Sequence, residues 1–132
     1  MTRIYLAGPL FTDAERRFNL ELAERITAAG HDVYLPQRDA PAATGAGYPA
    51  RIFRANLDAL EAAEAVVAVC DGAQVDDGTA WEIGFAYGRG VPVYGLRTDP
   101  RSVTAEERIN LAVEQSLTAL VGSTDELLAK LN

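Results

Sequence analysis

The sequence holds a single cysteine, Cys70, and a single histidine, His31, in 132 residues. No internal disulfide can form, and the first seven residues are too short for a signal peptide, so a reducing, cytoplasmic compartment is expected. One cysteine and one histidine cannot build a zinc cluster, so no metal centre is expected. A Ser-His-Asp triad would have to be built on His31, which follows Gly30 at a helix end, where a capping role is the simpler assignment. No apolar run is long enough to span a membrane. Basic residues are also scarce: 12 Lys and Arg stand against 19 Asp and Glu, for a net charge of −7. Such a surface repels nucleic acid and anionic membrane unless a basic patch compensates, and Arg16-Arg17 and the pair Arg51 and Arg54 are too small for one. A small neutral ligand fits better.

What is present is ordinary globular material, with 48 % hydrophobic and 23 % charged residues, which argues against disorder. The length suits one domain covering residues 1–132. Thr2 to Ala7 is rich in β-formers and is stopped by Gly8-Pro9, which predicts a buried strand and a turn. Ala14, Phe18, Leu22 and Ile26 recur every four residues, predicting a helix from Asp13 to Ala29 with Thr12 or Asp13 as N-cap and Gly30 just past its end. Asp32 to Leu35 reads as a second strand. Gln37 to Pro49 lacks periodicity and reads as a loop of functional length. Ala50 to Ala63 is helical, with Phe53, Leu57 and Leu60 on one side. Ala65 to Cys70 is an unbroken apolar run, as in the centre of a parallel sheet. A polar loop from Asp71 to Asp77, a helix from Gly78 to Gly88, a strand from Val91 to Leu96, a helix from Thr104 to Ser116 and a strand from Leu117 to Val121 follow. Ser123 to Glu126 reads as a capping box opening a final helix. The alternation predicts an α/β doubly wound parallel sheet of about five strands in three αβα layers.

Ligands in such sheets bind beyond the carboxyl ends of the strands. The first such loop, Gly8 to Asp13, lacks the dinucleotide and Walker fingerprints. It offers Gly8 for close approach, the aromatic Phe11, and an acid, although a turn and a helix cap explain it equally well. The next is denser, with Asp71, Asp76, Asp77 and Glu82. Asp76 or Asp77 could simply cap the helix. Glu82 lies among Trp81, Ile83, Gly84, Phe85 and Ala86, so it is either turned to solvent or held in a cleft. Gly78 and Gly84 thin this helix and would let a ligand or backbone approach, and the amides of the helix N-terminus would keep Glu82 ionised at neutral pH. Paired carboxyls serve retaining glycosyl transfer, one attacking the anomeric carbon and the other handling the proton. Tyr5 points into the core or its rim and needs a hydroxyl partner if buried. Cys70 reads as core, and Trp81 and Tyr87 as packing or interface residues.

Ile4 to Asp13 (IYLAGPLFTD), Asp76 to Ala86 (DDGTAWEIGFA) and Gly90-Val91-Pro92-Val93 resemble the nucleoside 2-deoxyribosyltransferase family, over about residues 3 to 121. The resemblance implies a flavodoxin-like fold, homo-oligomers, no cofactor, and a place in nucleotide salvage. It implies that Glu82 attacks the sugar of a 2′-deoxynucleoside to give a deoxyribosyl ester, that Asp76 contacts the base and passes it a proton, and that Tyr5 orients Glu82. Asp77 and Gly78 belong to the same motif and are taken as substrate contacts. Asn110, in Ile109-Asn110-Leu111, falls where the family has an asparagine that serves a neighbouring subunit's site and binds the 5′-hydroxyl. The acceptor is a second nucleobase, or water in a glycosidase. A non-catalytic nucleoside-binding module would use the same cleft. Two features depart from relatives. Asn56 stands where many members carry an aspartate facing the base, and an amide cannot be the acid. The sister group acting on deoxynucleoside 5′-monophosphates has an arginine-containing phosphate loop after the first strand, whereas Pro9 to Asp13 has an acid and no arginine, which favours nucleosides. Gln37 is a further candidate base contact.

Overall fold

The computed structural model describes all of residues 1–132. Five strands, β1 (Arg3–Ala7), β2 (Asp32–Tyr34), β3 (Ala65–Val69), β4 (Val93–Leu96) and β5 (Ala119–Val121), pair in parallel in the order β2-β1-β3-β4-β5. The helices are α1 (Asp13–Ala28), α2 (Pro36–Asp39), α3 (Tyr48–Ala62), α4 (Asp77–Gly88), α5 (Leu111–Gln115) and α6 (Thr124–Leu131). No helix is long and apolar enough to cross a membrane.

Strand periodicity sorts the core into two layers, because successive side chains point to opposite faces. Ile4, Leu6, Val33, Ala65, Val67, Val69 and Leu96 pack under α1 and α6 with Leu22, Ala23, Ile26 and Leu127. Tyr5, Ala7, Val66, Ala68, Cys70 and Val93 pack under α3 and α4 with Leu60, Ile83 and Ala86. Every residue of β3 is buried, as its unbroken apolar run requires. The chain reverses direction across the sheet between β1 and β3, so the crevice beyond their carboxyl ends is where a ligand belongs.

Most predicted elements are present, with instructive differences. Thr12 caps α1 in a full capping box with Glu15, and Gly30 follows the helix in the left-handed region at φ 101°. The buried stripe of α1 is Asn19, Leu22, Ala23 and Ile26, so Ala14 lies outside it and Phe18 is only half-buried. Ser123 accepts from the Glu126 amide, but the Glu126 side chain returns to the Gly122 amide instead of the cap's own, so the box there is half formed. The segment Gln37 to Pro49 is not wholly loop: Pro36 opens the single turn of α2 and Pro49 sits in the first turn of α3, where a missing N–H costs nothing.

The largest difference is the predicted helix over 104–116, of which only Leu111–Gln115 forms. The Thr104 hydroxyl accepts from the Glu106 and Glu107 amides and turns the chain locally. Ile109 is then buried as an anchor, and Asn110, in extended backbone, starts α5 by accepting from the Ala112 and Val113 amides. Two side chains, each accepting from two nearby amides, thus outcompete a continuous helix.

Candidate active site

A cleft of about 370 Å³ opens at the carboxyl ends of β1 and β3 on the α3/α4 side, walled by Leu10, Phe11, Phe53, Leu57, Leu60 and Trp81 and carrying the polar groups Asn56, Asp76, Thr79 and Glu82. Its lining also includes Gly8, Pro36 and Gly78 and holds no basic residue. Helical spacing explains the wall from α3: Phe53, Asn56, Leu57 and Leu60 follow the i, i+3, i+4, i+7 pattern of one face.

Helix α4 supplies the acids. Asp76 is its N-cap, and one carboxylate oxygen accepts from both the Thr79 amide and the Thr79 hydroxyl at 3.0 Å. The cap and the cleft are therefore not alternatives, since Asp76 serves both. Thr79, Ile83 and Ala86 form the buried stripe of α4, and Glu82 sits beside it, turned into the cleft. The hydroxyl of Tyr5, fully buried on β1, donates to the Glu82 carboxylate.

Burial governs the ionisation of Glu82. Desolvation raises its pKa to about 7, the Tyr5 hydrogen bond pulls the other way, and the charge of Asp76 adds to the rise. The sequence-based expectation that helix amides hold Glu82 ionised thus gives way to desolvation. It lies beyond the first turn of α4, where the helix-end field has decayed. Tyr5 itself is held far from ionising, first by burial and then by the Glu82 charge, so it stays a donor.

The other sequence candidates separate. Phe11 is an exposed wall of the cleft. Gly8 lines the cleft, but a Cβ there would stand 3.1 Å from Val69 Cβ and 3.2 Å from Asn19 Oδ1, so protein packing already demands glycine. Gly78 lies at the mouth with Asp76 beside it. Gly84 faces open space, with nothing within 4 Å of an added Cβ, and admits no neighbour in this chain. Asp77 is exposed and accepts from the Gly78 amide, outside the cleft lining. Asp71 also lies outside it, accepting from the Thr98 amide and hydroxyl and the Asp99 amide, which joins the loops after β3 and β4.

Gln37, a candidate base contact, is engaged within the chain instead. Its carbonyl accepts from Asn19, its amide donates to the Arg16 carbonyl, and it lies outside the cleft lining. Asn110 is exposed and does not line the cleft of its own chain, so any role at a site has to be played elsewhere. Cys70 is buried, and desolvation pushes its thiol up to about 12. No group of three or more His, Cys, Asp or Glu side chains gathers to hold a metal ion.

Two structural residues escaped the sequence reading. Asn19, buried on α1, donates to the Pro9 carbonyl and to Gln37 and so fixes the β1 loop that forms one wall. Arg97, almost fully buried, donates to the carbonyls of Cys70, Gly72 and Arg101 and binds the loops after β3 and β4. Asn19 had one available signal, a polar residue next to a predicted apolar stripe; Arg97 had none.

With this geometry in place, the sequence matches the family "Nucleoside 2-deoxyribosyltransferase" over residues 4–122. The chain belongs to that family. Family members are enzymes acting on N-glycosidic bonds. A conserved protein from Enterococcus faecalis V583 is 33 % identical, with a TM-score of 0.87 over 99 % of this chain and 97 % of that one. A 2-deoxyribosyltransferase from Bacillus psychrosaccharolyticus is 25 % identical, with a TM-score of 0.80 over 95 % of this chain and 89 % of that one. A CMP N-glycosidase from Clostridium botulinum, 19 % identical, shares the fold at a TM-score of 0.64 over 98 % of this chain and 97 % of that one. No curated protein gives a significant sequence match.

Proposed function

We propose that this nucleoside 2-deoxyribosyltransferase family member transfers the deoxyribosyl group of a 2′-deoxynucleoside to a second nucleobase through a covalent ester on Glu82. The observation that carries the reading is Glu82, hydrogen-bonded by a buried tyrosine, beside Asp76 in a largely apolar cleft. The ionised Glu82 carboxylate attacks the anomeric carbon, and a C–O bond forms as the C–N bond to the base breaks. The base leaves with the bonding electrons and takes a proton from Asp76, which carries the single proton of the carboxyl pair while Glu82 is ionised. The acceptor base then attacks the same carbon, the ester C–O bond breaks to return the carboxylate, and the acceptor's proton passes to Asp76. Tyr5 acts through Glu82, holding its orientation and favouring its charged form.

The apolar walls suit a flat base, with Phe11, Phe53 and Trp81 presenting ring surface at the mouth. The absence of any basic residue from the lining, together with two carboxylates, favours a neutral nucleoside over a nucleotide. Mixing a deoxynucleoside with a second free base and following the products by chromatography tests the reading. Exchange that vanishes in Glu82→Ala supports it. Free deoxyribose released at one rate with or without acceptor base identifies a glycosidase instead, and binding without turnover or a covalent adduct identifies a binding module.

A cytoplasmic homo-oligomer in which Asn110 binds the 5′-hydroxyl in a neighbouring cleft belongs to the same proposal. Support comes from an exposed aromatic ridge on α3 and α4: Trp81 packs edge-on against Phe53 at 5.7 Å and stacks on Phe85 at 5.5 Å, with Tyr87 exposed nearby. The Asn110 carbonyl is used in capping α5, and its amide group has no partner in the chain. Sedimentation gives the assembly size. Mixing inactive Glu82→Ala and Asn110→Ala chains restores activity if the asparagine works across subunits.

A further inference from the structure

Two tyrosines stand side by side beneath the cleft. Tyr5 on β1 is paired in register with Tyr34 on β2, and their rings stack with centroids 5.5 Å apart and planes 19° from parallel. Each hydroxyl reaches a different polar residue of the lining: Tyr5 donates to Glu82, and Tyr34 donates to the carbonyl oxygen of Asn56 at 2.9 Å. That is the only hydrogen bond the Tyr34 hydroxyl makes, so its proton has one acceptor and the amide has one orientation that satisfies it. With its oxygen engaged by Tyr34, Asn56 keeps two N–H donors that have no partner within the chain, at a residue that lines the cleft.

Building on the proposed function, we infer that Asn56, positioned by Tyr34, makes the cleft selective for nucleobases that present a carbonyl acceptor over those that present an exocyclic amine. The amide protons can meet the O6 carbonyl and N7 of a 6-oxopurine, both acceptors, or the carbonyl of uracil. An amino group at the same place sets donor against donor and leaves both polar groups unpaired as water is excluded. Asn56 is the specificity residue, and Tyr34 is a positioning residue that denies the amide its flipped orientation.

The test measures kcat/KM for base release from two matched pairs, deoxyinosine against deoxyadenosine and deoxyuridine against deoxycytidine. The wild-type chain is expected to favour the oxo member of each pair by about tenfold or more. Asn56→Asp, which replaces the donors with an acceptor, is expected to erase or invert both ratios. Tyr34→Phe keeps the ring against Tyr5 and frees the amide to turn; it is expected to compress both ratios, a pattern that general loosening of the cleft, which lowers both members of a pair alike, does not produce. Equal or greater activity on the amino member in the wild-type chain overturns the inference, as do ratios untouched by Asn56→Asp. Turnover without oxo preference overturns this inference alone, whereas no turnover of any of the four overturns the glycosidic reading with it.

Discussion

On one face of the sheet, Ile4 and Leu6 of β1 lie in a layer of aliphatic side chains under α1 and α6. On the other face, Tyr5 of the same strand sends a hydroxyl to the cleft, next to Ala7, under α3 and α4. The strands are shared, yet one face is closed and oily while the other is interrupted by Glu82, Asn56 and Asp76 at its edge. A period of two lets adjacent residues serve separate ends, one set holding the sheet and the other aiming polar groups at a ligand. The cost of a buried carboxylate then falls on a face whose opposite side is undisturbed.

The largest expected effect sharpens that division. Glu82→Ala should lower base exchange at least about a thousandfold while leaving the chain folded, because the side chain contributes charge to the cleft and not bulk to either core layer. Activity surviving in full would remove Glu82 from the chemistry. The mirror-image substitution is Leu22→Ala on α1, 2 % exposed in the aliphatic layer. It should cost about 2–5 kcal/mol in denaturant unfolding, with kcat per folded molecule unchanged. A large fall in kcat of the folded protein would show that the two faces are coupled.

Tyr5→Phe probes the contact between the core and the cleft and should lower kcat/KM by about ten- to a hundredfold. The pH profile carries more information than the loss. In the proposed mechanism Glu82 attacks as the carboxylate, so kcat/KM should rise with pH to a plateau with its midpoint at about 7. The Tyr5 hydrogen bond is the influence that lowers the Glu82 pKa, so its removal should move the rising limb to higher pH. A limb that stays put would mean that the tyrosine contributes packing alone.

Much of this arrangement was legible in the residues. The unbroken run of β3, the stripe of α3 and the Gly8-Pro9 stop each follow from a local pattern with one satisfactory outcome, and together they locate the crevice. The density of acids around α4 was legible too, but not its division of labour. Asp71 and Asp77 differ from Asp76 only in which neighbouring amides and hydroxyls they meet. The place of Gln37 was not legible for the same reason, since its partners Asn19 and Arg16 are distant in sequence. The helix predicted over 104–116 failed because two polar side chains, Thr104 and Asn110, bonded to nearby amides and redirected a segment with adequate helical propensity. The Tyr34–Asn56 bond spans 22 positions and joins a strand to a helix, so only the fold displays it.

The smallest effect is on stability and concerns the same carboxylate. In the folded chain Glu82 has a pKa of about 7, above its ordinary value of 4.5, because burial penalises the charge. Between those two values the folded state binds more protons at this site than the unfolded state, so the contribution of Glu82 to stability is greatest at low pH and is lost as pH rises through about 7. Glu82→Gln keeps an acceptor for the Tyr5 hydroxyl and removes the titration. Relative to the wild-type chain, the variant should therefore gain on the order of 1 kcal/mol as pH is raised from about 5 to 8, read as the difference between two unfolding curves at each pH. A difference that stays flat across that window would mean that water reaches the carboxylate freely in the folded chain, and the pH limb assigned to its ionisation would then have to come from another group.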